Sequence, residues 1–410
     1  MKYDRQIIYA GSVNAGAKAS VKGQGEGIST LFMDENGQLS RLFTMPSRNS
    51  GIITSYGRFI YAANEEKDFG GLNGSGGGVS AYERNENGSL TFLNSSLSYG
   101  SRTSYVTVSE SGKYLLAANH GSHSAVTCSY VQDAEGNWIL KRGFDDSSIA
   151  VFALDQDGSI IQLTDLKVFK GSGYWCHGGG QSTVHMHCVK ERHGLVYAMS
   201  RGSDEIVILS LDEQSGKLEV KNRVQTRFGY APRHACFHPV QNILYVVNEN
   251  YPSVSVYRID EANALLHEIQ LIGTMDEEYY KERPLPSFEK PHADPHEKNT
   301  SAFGDRLAAM CSDIHISPNG KHLYASNRRF SSFASLSVFD VHSDGTLSLK
   351  QIFALQGKDP RGFNLSADGK ILICGLLDQN LVQAFALNDE GIIGERISEL
   401  SLNAPSSFIL

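Results

Sequence analysis

One phrase returns seven times in this chain and limits what it can fold into. A turn leads into an apolar strand that ends on a small or polar residue. It reads YGRFIYAANE at 56–65, SGKYLLAANH at 111–120, RHGLVYAMSR at 192–201 and VQNILYVVNE at 240–249. Further copies are NGKHLYASNR at 319–328, DGKILICGLL at 368–377 and RQIIYAGSV at 5–13. A second phrase follows each copy: GVSAYERNENGSL and SLSVFDVHSDGTL are examples. It is a period-2 strand, a turn usually built on Gly, and the start of another strand. One more short strand usually precedes each copy, as in PRHACFHP, CSDIHISP and PRGFNLSA. Four short antiparallel strands in about 50 residues, repeated seven times, are the signature of an all-β fold, a seven-bladed β-propeller. The expected organisation is one domain over residues 1–410, although this length alone would suggest two or three domains.

The first copy lacks the strand that precedes the others, and the chain finishes on an apolar strand with no local partner. APSSFIL at 404–410 aligns with DPRGFNL at 359–365, so Phe408 matches Phe363. The last residues are therefore expected to supply the innermost strand of blade one and close the ring, leaving no unpaired sheet edge. Two spacings are too long, at about 121–146 and 274–310. Such insertions are candidate lids or binding loops over one mouth, and equally candidate dimer contacts.

A net charge of -8 argues against a general nucleic-acid or anionic-membrane surface, so neither partner is expected. No apolar run reaches the length of a membrane span, and the beginning does not read as a signal peptide. The six cysteines are scattered without a C-x-x-C, which suits a reducing cytoplasm and no disulfide framework. The DENG, DQDG and DEQSG segments lack the spacing of calcium loops and read as hairpin turns. GSGGG at 74–78 has no following Lys and is no phosphate loop, and no G-x-S-x-G elbow is present. VHMH beside Cys188 could seed a metal site, but alternation turns Cys188 away from His185 and His187; no metal or cofactor is expected.

In a propeller the innermost strands line a channel, so equivalent positions of different blades converge. Aligned on the apolar phrase, the inner-strand column reads Ser406, Asn49, Ser104, His185, Arg233, Ser312 and Arg361. The column just after the apolar strand reads Val13, Glu65, His120, Arg201, Glu249, Arg328 and Leu377. Burying polar groups without partners is costly, so a column of them is not core packing. A lone strand His is usually structural and an Arg beside a Glu usually an ion pair. The group of His185, Arg233, Glu249 and Arg328 nonetheless reads as an anion-binding pocket with a titratable group.

APRHACFHP with YVVNE (231–249), SDIHISPNGKHLYASNR (312–328) and DPRGFNLSADGK (359–370) resemble the seven-bladed propeller lactonases, bacterial 6-phosphogluconolactonases and fungal muconate lactonizing enzymes among them. VHMH is similar to that family's inner-strand His segment. The resemblance covers essentially the whole chain. It implies a catalytic set of His185, Glu249, Arg233 and Arg328; Arg361, His187, His234, Asn248 and Asp313 are expected as substrate-binding residues beside it. The partner implied is a small anionic lactone or carboxylate. The leading expectation is metal-free hydrolysis of a sugar lactone, 6-phosphogluconolactone foremost, with Glu249 or His185 activating water. Arg233 or Arg328 would stabilise the oxyanion, and the other, with Arg361, would hold the phosphate. Two rivals stay open: a carboxymuconate-type cycloisomerase using the same pocket, and a non-catalytic interaction platform. The sequence departs from the family pattern at YAMSR and at the GLL that ends the blade-seven phrase.

Overall fold

A computed structural model of the chain describes residues 3–14, 24–71, 73–122, 127–143, 145–173, 181–282, 309–328 and 334–410. Seven four-stranded antiparallel sheets follow one another around a ring. Blade five illustrates the unit: Pro232–Phe237 innermost, then Ile243–Asn248, Ser253–Asp260 and, outermost, Leu265–Gly273. In the second strand alternate side chains go to opposite neighbours. Tyr114, Leu116 and Ala118 join the apolar cluster shared with blade four, whereas Leu115 and Ala117 join the one shared with blade two. Seven such clusters fill the seven blade interfaces. The repeated Tyr has its own reason. The hydroxyls of Tyr61, Tyr245 and Tyr324 donate to the carbonyls of Gly158, Gly345 and Gly391, each in the outer turn of the next blade. These turns carry the acidic segments. In DENG, Asp34 accepts the Asn36 and Gln38 amides at 2.8 and 2.9 Å, which is hairpin chemistry.

Pro405–Ile409 pairs antiparallel with Gln6–Ser12 and completes blade one from the far end of the chain. Phe408 lies opposite Ala10 as Phe363 lies opposite Cys374, so the expected equivalence is the observed one. Phe408 packs between blades seven and one and is 5% exposed. Phe408→Ala is expected to cost about 3 kcal/mol, read as a lower urea midpoint.

First strands begin, second strands end, third strands begin and fourth strands end on one face of the ring. Both insertions therefore open on that face. The first contributes a two-stranded hairpin, Thr127–Gln132 with Trp138–Gly143. The second begins with a short helix, Glu277–Glu282; its residues 283–308 lie outside the described residues. Cys176 also lies outside them, while Cys188, Cys236, Cys311 and Cys374 are free thiols. No described helix is long and apolar enough to cross a membrane.

Candidate active site at the ring axis

A β-bulge sets the geometry at the axis. In every blade an inner-strand residue pairs with the last residue of the second strand, or in blade six the last but one: Ser50 with Asn64, Thr103 with Asn119, Met186 with Ser200, Pro232 with Asn248. Cys311 with Asn327, Pro360 with Leu376 and Pro405 with Ser12 complete the set. The register then shifts in all seven pairs, one residue extra on the inner strand. The residues just past the pair are Gly51, Ser104, His187, Arg233, Ser312, Arg361 and Ser406. This is the axis-lining column, and it corrects the sequence alignment in two blades. His187 stands where His185 was expected, and Gly51 where Asn49 was expected. A Cβ built on Gly51 would meet the side chains of Val13, Ser406 and Glu65, so this glycine leaves the channel open on that side.

Hydrogen bonds around the ring explain most of the polar column. Ser406 Oγ donates to the Gly51 carbonyl at 2.7 Å, and Ser104 Oγ to the Met186 carbonyl at 3.0 Å. Arg233 Nη1 donates to the Ser312 carbonyl, and Ser312 Oγ to the Arg361 carbonyl at 2.7 Å. Each bond runs to the next blade. His187 and Arg361 are the two polar members whose side chains make no such bond. Nδ1 of His187 is buried without a partner among the described residues. Burial first, then the charge of Arg233, keeps the His187 pKa well below the ordinary imidazole value, so the ring is neutral at neutral pH. Arg361 is half-buried, and its guanidinium forms no ion pair among the described residues.

The missing expectation, His185, belongs to a different ring of residues. Asn49, Arg102, His185, Ala231, Asp359 and Ala404 all have φ between 42° and 60°, one at the entry of each inner strand except in blade six. Their carbonyls accept the amides of Glu65, His120, Arg201, Glu249, Leu377 and Val13, the residues that end the apolar phrase. Side chains at the entry position brace the rim residue of the preceding blade. His185 stacks on His120 with ring centroids 4.3 Å apart, and its Nδ1 lies 3.1 Å from the His120 carbonyl. Asp359 Oδ1 lies 3.8 Å from Arg328 Nε, and Ala404 packs on Leu377. His185 is fully buried in this role.

The rim column itself converges as expected. Glu249 is 5% exposed and meets three arginines: Arg201 Nε and Arg233 Nε on Oε2, the latter at 3.5 Å, and Arg328 Nη2 on Oε1. Burial alone would raise its pKa; Arg201, Arg328 and Arg233 override this and hold the carboxyl far below its ordinary range. A carboxylate so stabilised is a poor proton acceptor, which removes the expectation that Glu249 activates water. Arg233, 2% exposed, is pushed down to about 9 by burial and by Arg328, with Glu249 opposing; it remains a cation at neutral pH. The arrangement can neutralise more negative charge than Glu249 supplies. Arg201, Arg233 and Arg328 face the Glu249 carboxylate, Asp359 lies beside Arg328, and the charge of Arg361 is felt at Arg233.

Three further expected ligand contacts are engaged by protein, except that Asn248 Oδ1 is buried with no hydrogen-bond partner among the described residues. Asn248 gives its Nδ2 to Ser253 and Ser255, both at 3.0 Å. Asn327 does the same with Ser335 and Ser337, and Asn119 bonds Ser148, so this Asn ties the second strand to the third. The recurring Asn in the apolar phrase, with a Ser in the phrase that follows, was the available signal. His234 has both ring nitrogens occupied, and Asp313 both carboxylate oxygens. Conversely, Arg201 and His120 stood in the rim column but outside the expected site, and Asp359 was not singled out. Among the described residues no group of three or more His, Cys, Asp or Glu is placed to hold a metal ion.

A seven-bladed propeller with an arginine-rich axis defines the class, and the chain belongs to the family described as "Lactonase, 7-bladed beta-propeller", whose profile matches residues 7–409. Among curated relatives, a 6-phosphogluconolactonase of Enterobacter sp. (strain 638) is 27% identical over 243 residues, 59% of this chain and 61% of that protein. The matched stretch thus spans less than two thirds of that relative. A 6-phosphogluconolactonase of Erwinia tasmaniensis is 26% identical over 64% of this chain and 67% of its own length. Of solved structures, a putative 6-phosphogluconolactonase from Bacteroides fragilis superposes with TM-score 0.75 at 24% identity, covering 99% of this chain and 97% of that one. The Pseudomonas aeruginosa periplasmic gluconolactonase superposes with TM-score 0.77 at 20% identity, covering 99% of both. At these identities the structures establish the fold.

Proposed function

We propose that this chain hydrolyses a sugar lactone bearing a phosphate, with 6-phosphogluconolactone the first candidate. The observation that carries the reading is three arginines around one ionised Glu249, with Arg361 in the same axis column, beside a neutral His187 whose Nδ1 has no hydrogen-bond partner among the described residues. In this reading His187 takes the proton from a water molecule as its oxygen attacks the lactone carbonyl. The carbonyl oxygen becomes an oxyanion stabilised by an arginine of the Glu249 cluster, Arg328 or Arg201. The ring C–O bond then breaks, and the proton returns from His187 to the leaving ring oxygen, giving the open hydroxy acid. Glu249 balances and aims the arginines. Arg361, half-open and without an ion pair among the described residues, receives the phosphate. The curated relatives named as 6-phosphogluconolactonases support the substrate class, and the free thiols support a cytoplasmic location.

The test compares 6-phosphogluconolactone, unphosphorylated gluconolactone and a carboxymuconate as substrates. Preferred turnover of the phosphorylated lactone is expected; turnover of the carboxymuconate alone would replace this reading by the cycloisomerase. Arg361→Ala is expected to raise KM for the phosphorylated lactone by about tenfold to a hundredfold, the worth of a charge-assisted hydrogen bond, while leaving the unphosphorylated lactone nearly unaffected.

A further inference from the structure

Arg233 is buried yet aimed, and what aims it is a neutral group. Its Nη1 lies 3.1 Å from His234 Nε2. A guanidinium can only donate, so Nε2 is the acceptor and the proton of the imidazole is on Nδ1. Nδ1 accordingly meets Asp313 Oδ1 at 2.8 Å. Asp313 is fixed in turn. Oδ1 accepts the Ile314 amide at 3.0 Å, and Oδ2 lies 3.2 Å from His315 Nε2 and 3.4 Å from the Phe363 amide. Its own amide donates to Ser326 Oγ at 2.9 Å. The rings of Tyr105 and His187 stand edge-on to His234, each with centroids 5.1 Å away. The imidazole cannot turn without losing both Arg233 and Asp313.

We infer that His234 and Asp313 are a positioning pair: the carboxylate fixes the tautomer and orientation of the imidazole, and the imidazole aims the Arg233 guanidinium at the axis. The inference rests on the reading of the axis as a hydrolytic anion site, and gives these residues a role other than touching substrate. Nη1 is taken by His234 and the Ser312 carbonyl, and Nε faces Glu249. Neither Nε, whose contact with Glu249 is an ion pair at 3.5 Å, nor Nη2 makes a hydrogen bond among the described residues, and Nη2 faces no ion-pair partner there. A neutral acceptor suits this task. A carboxylate beside Nη1 would cancel the positive charge that an anionic substrate needs, whereas a neutral imidazole directs the guanidinium and leaves its charge available. Burial, with Arg233 next, lowers the His234 pKa to about 3, in keeping with a ring that stays neutral.

Two substitutions separate positioning from packing. In His234→Gln the amide oxygen reaches the place of Nε2 and can accept from Arg233. In His234→Asn the side chain reaches only the place of Nδ1, so the link to Asp313 is kept and the acceptor is lost. Both remove the ring, so both are expected to lower the thermal midpoint alike. His234→Asn is expected to lose about a hundredfold in kcat/KM on the phosphorylated lactone, the scale for a small misplacement of a catalytic group. His234→Gln is expected to keep most of it, with the loss in the Asn variant falling on kcat more than on KM. Equal losses in the two variants would overturn the inference. Nitrogen NMR of the wild-type imidazole gives a second readout that needs no substrate: the Nδ1–H tautomer supports the pair, and an Nε2–H or doubly protonated ring overturns it. Should the wild type hydrolyse no lactone, the proposed function fails, and the tautomer alone decides for or against the positioning pair.

Discussion

His187→Gln is expected to lower kcat by about 10²- to 10⁴-fold, the usual contribution of a general base, with a smaller change in KM. His185→Asn, two residues away, is expected to retain turnover. The contrast follows from the bulge. His187 lines the axis with a buried, unpartnered Nδ1, whereas His185 braces His120 from a left-handed backbone position, φ 47°. Asn tolerates that conformation, so His185→Asn keeps the backbone and loses only the stacked ring. The pH profile gives an independent check. A base acts in its deprotonated form, and the pKa of His187 is held down by burial and by Arg233. The acidic limb of kcat/KM is therefore expected below the ordinary imidazole range, not within it. Full activity of His187→Gln, measured with initial rates on the phosphorylated lactone, would remove this residue from the mechanism.

Glu249→Gln is expected to lower the unfolding free energy by about 3–5 kcal/mol, the cost of leaving buried charges without their partner. Arg201, Arg233 and Arg328 are each no more than 7% exposed and share this one carboxylate. The effect carries a pH signature. The folded-state pKa of Glu249 lies below its unfolded value, so its contribution is fully present above the unfolded value of about 4.3 and is lost as the pH falls toward the folded one. Urea titrations should show the wild type and Glu249→Gln far apart at pH 7 and converging as the solution is acidified below pH 4. A constant gap across that range would mean that Glu249 is not held by the arginines. Turnover should also fall in Glu249→Gln, because the arginines lose the charge that orders them, although the carboxylate itself accepts no proton.

Much of this was legible before any coordinates. A blade is a local object: its turns, its alternation and its apolar phrase lie within one stretch of chain, so counting seven phrases counts seven blades. The phrase that ends on Glu249 also ends on Arg201 and Arg328, and alignment of the phrases was enough to bring them to one rim. Closure by Phe408 followed because the first copy lacked a strand that the last seven residues could supply.

The local pattern determined the propeller, its closure and the convergence of Arg233, Glu249 and Arg328 on the axis, because period-2 alternation and turn chemistry are written in neighbouring residues. Only the tertiary structure decided between His185 and His187, or between Asn49 and Gly51. Residues two apart point to the same side of a strand, so alternation cannot tell them apart, and the bulge that separates them is visible only in the pairing with the second strand. Only the tertiary structure, likewise, showed that Asn248 Nδ2, His234 and Asp313 spend hydrogen bonds inside the protein, because Ser253 meets Asn248 from the next strand, while the His234–Asp313 contact and the Phe363 amide on Asp313 are assembled by packing of one blade on the next.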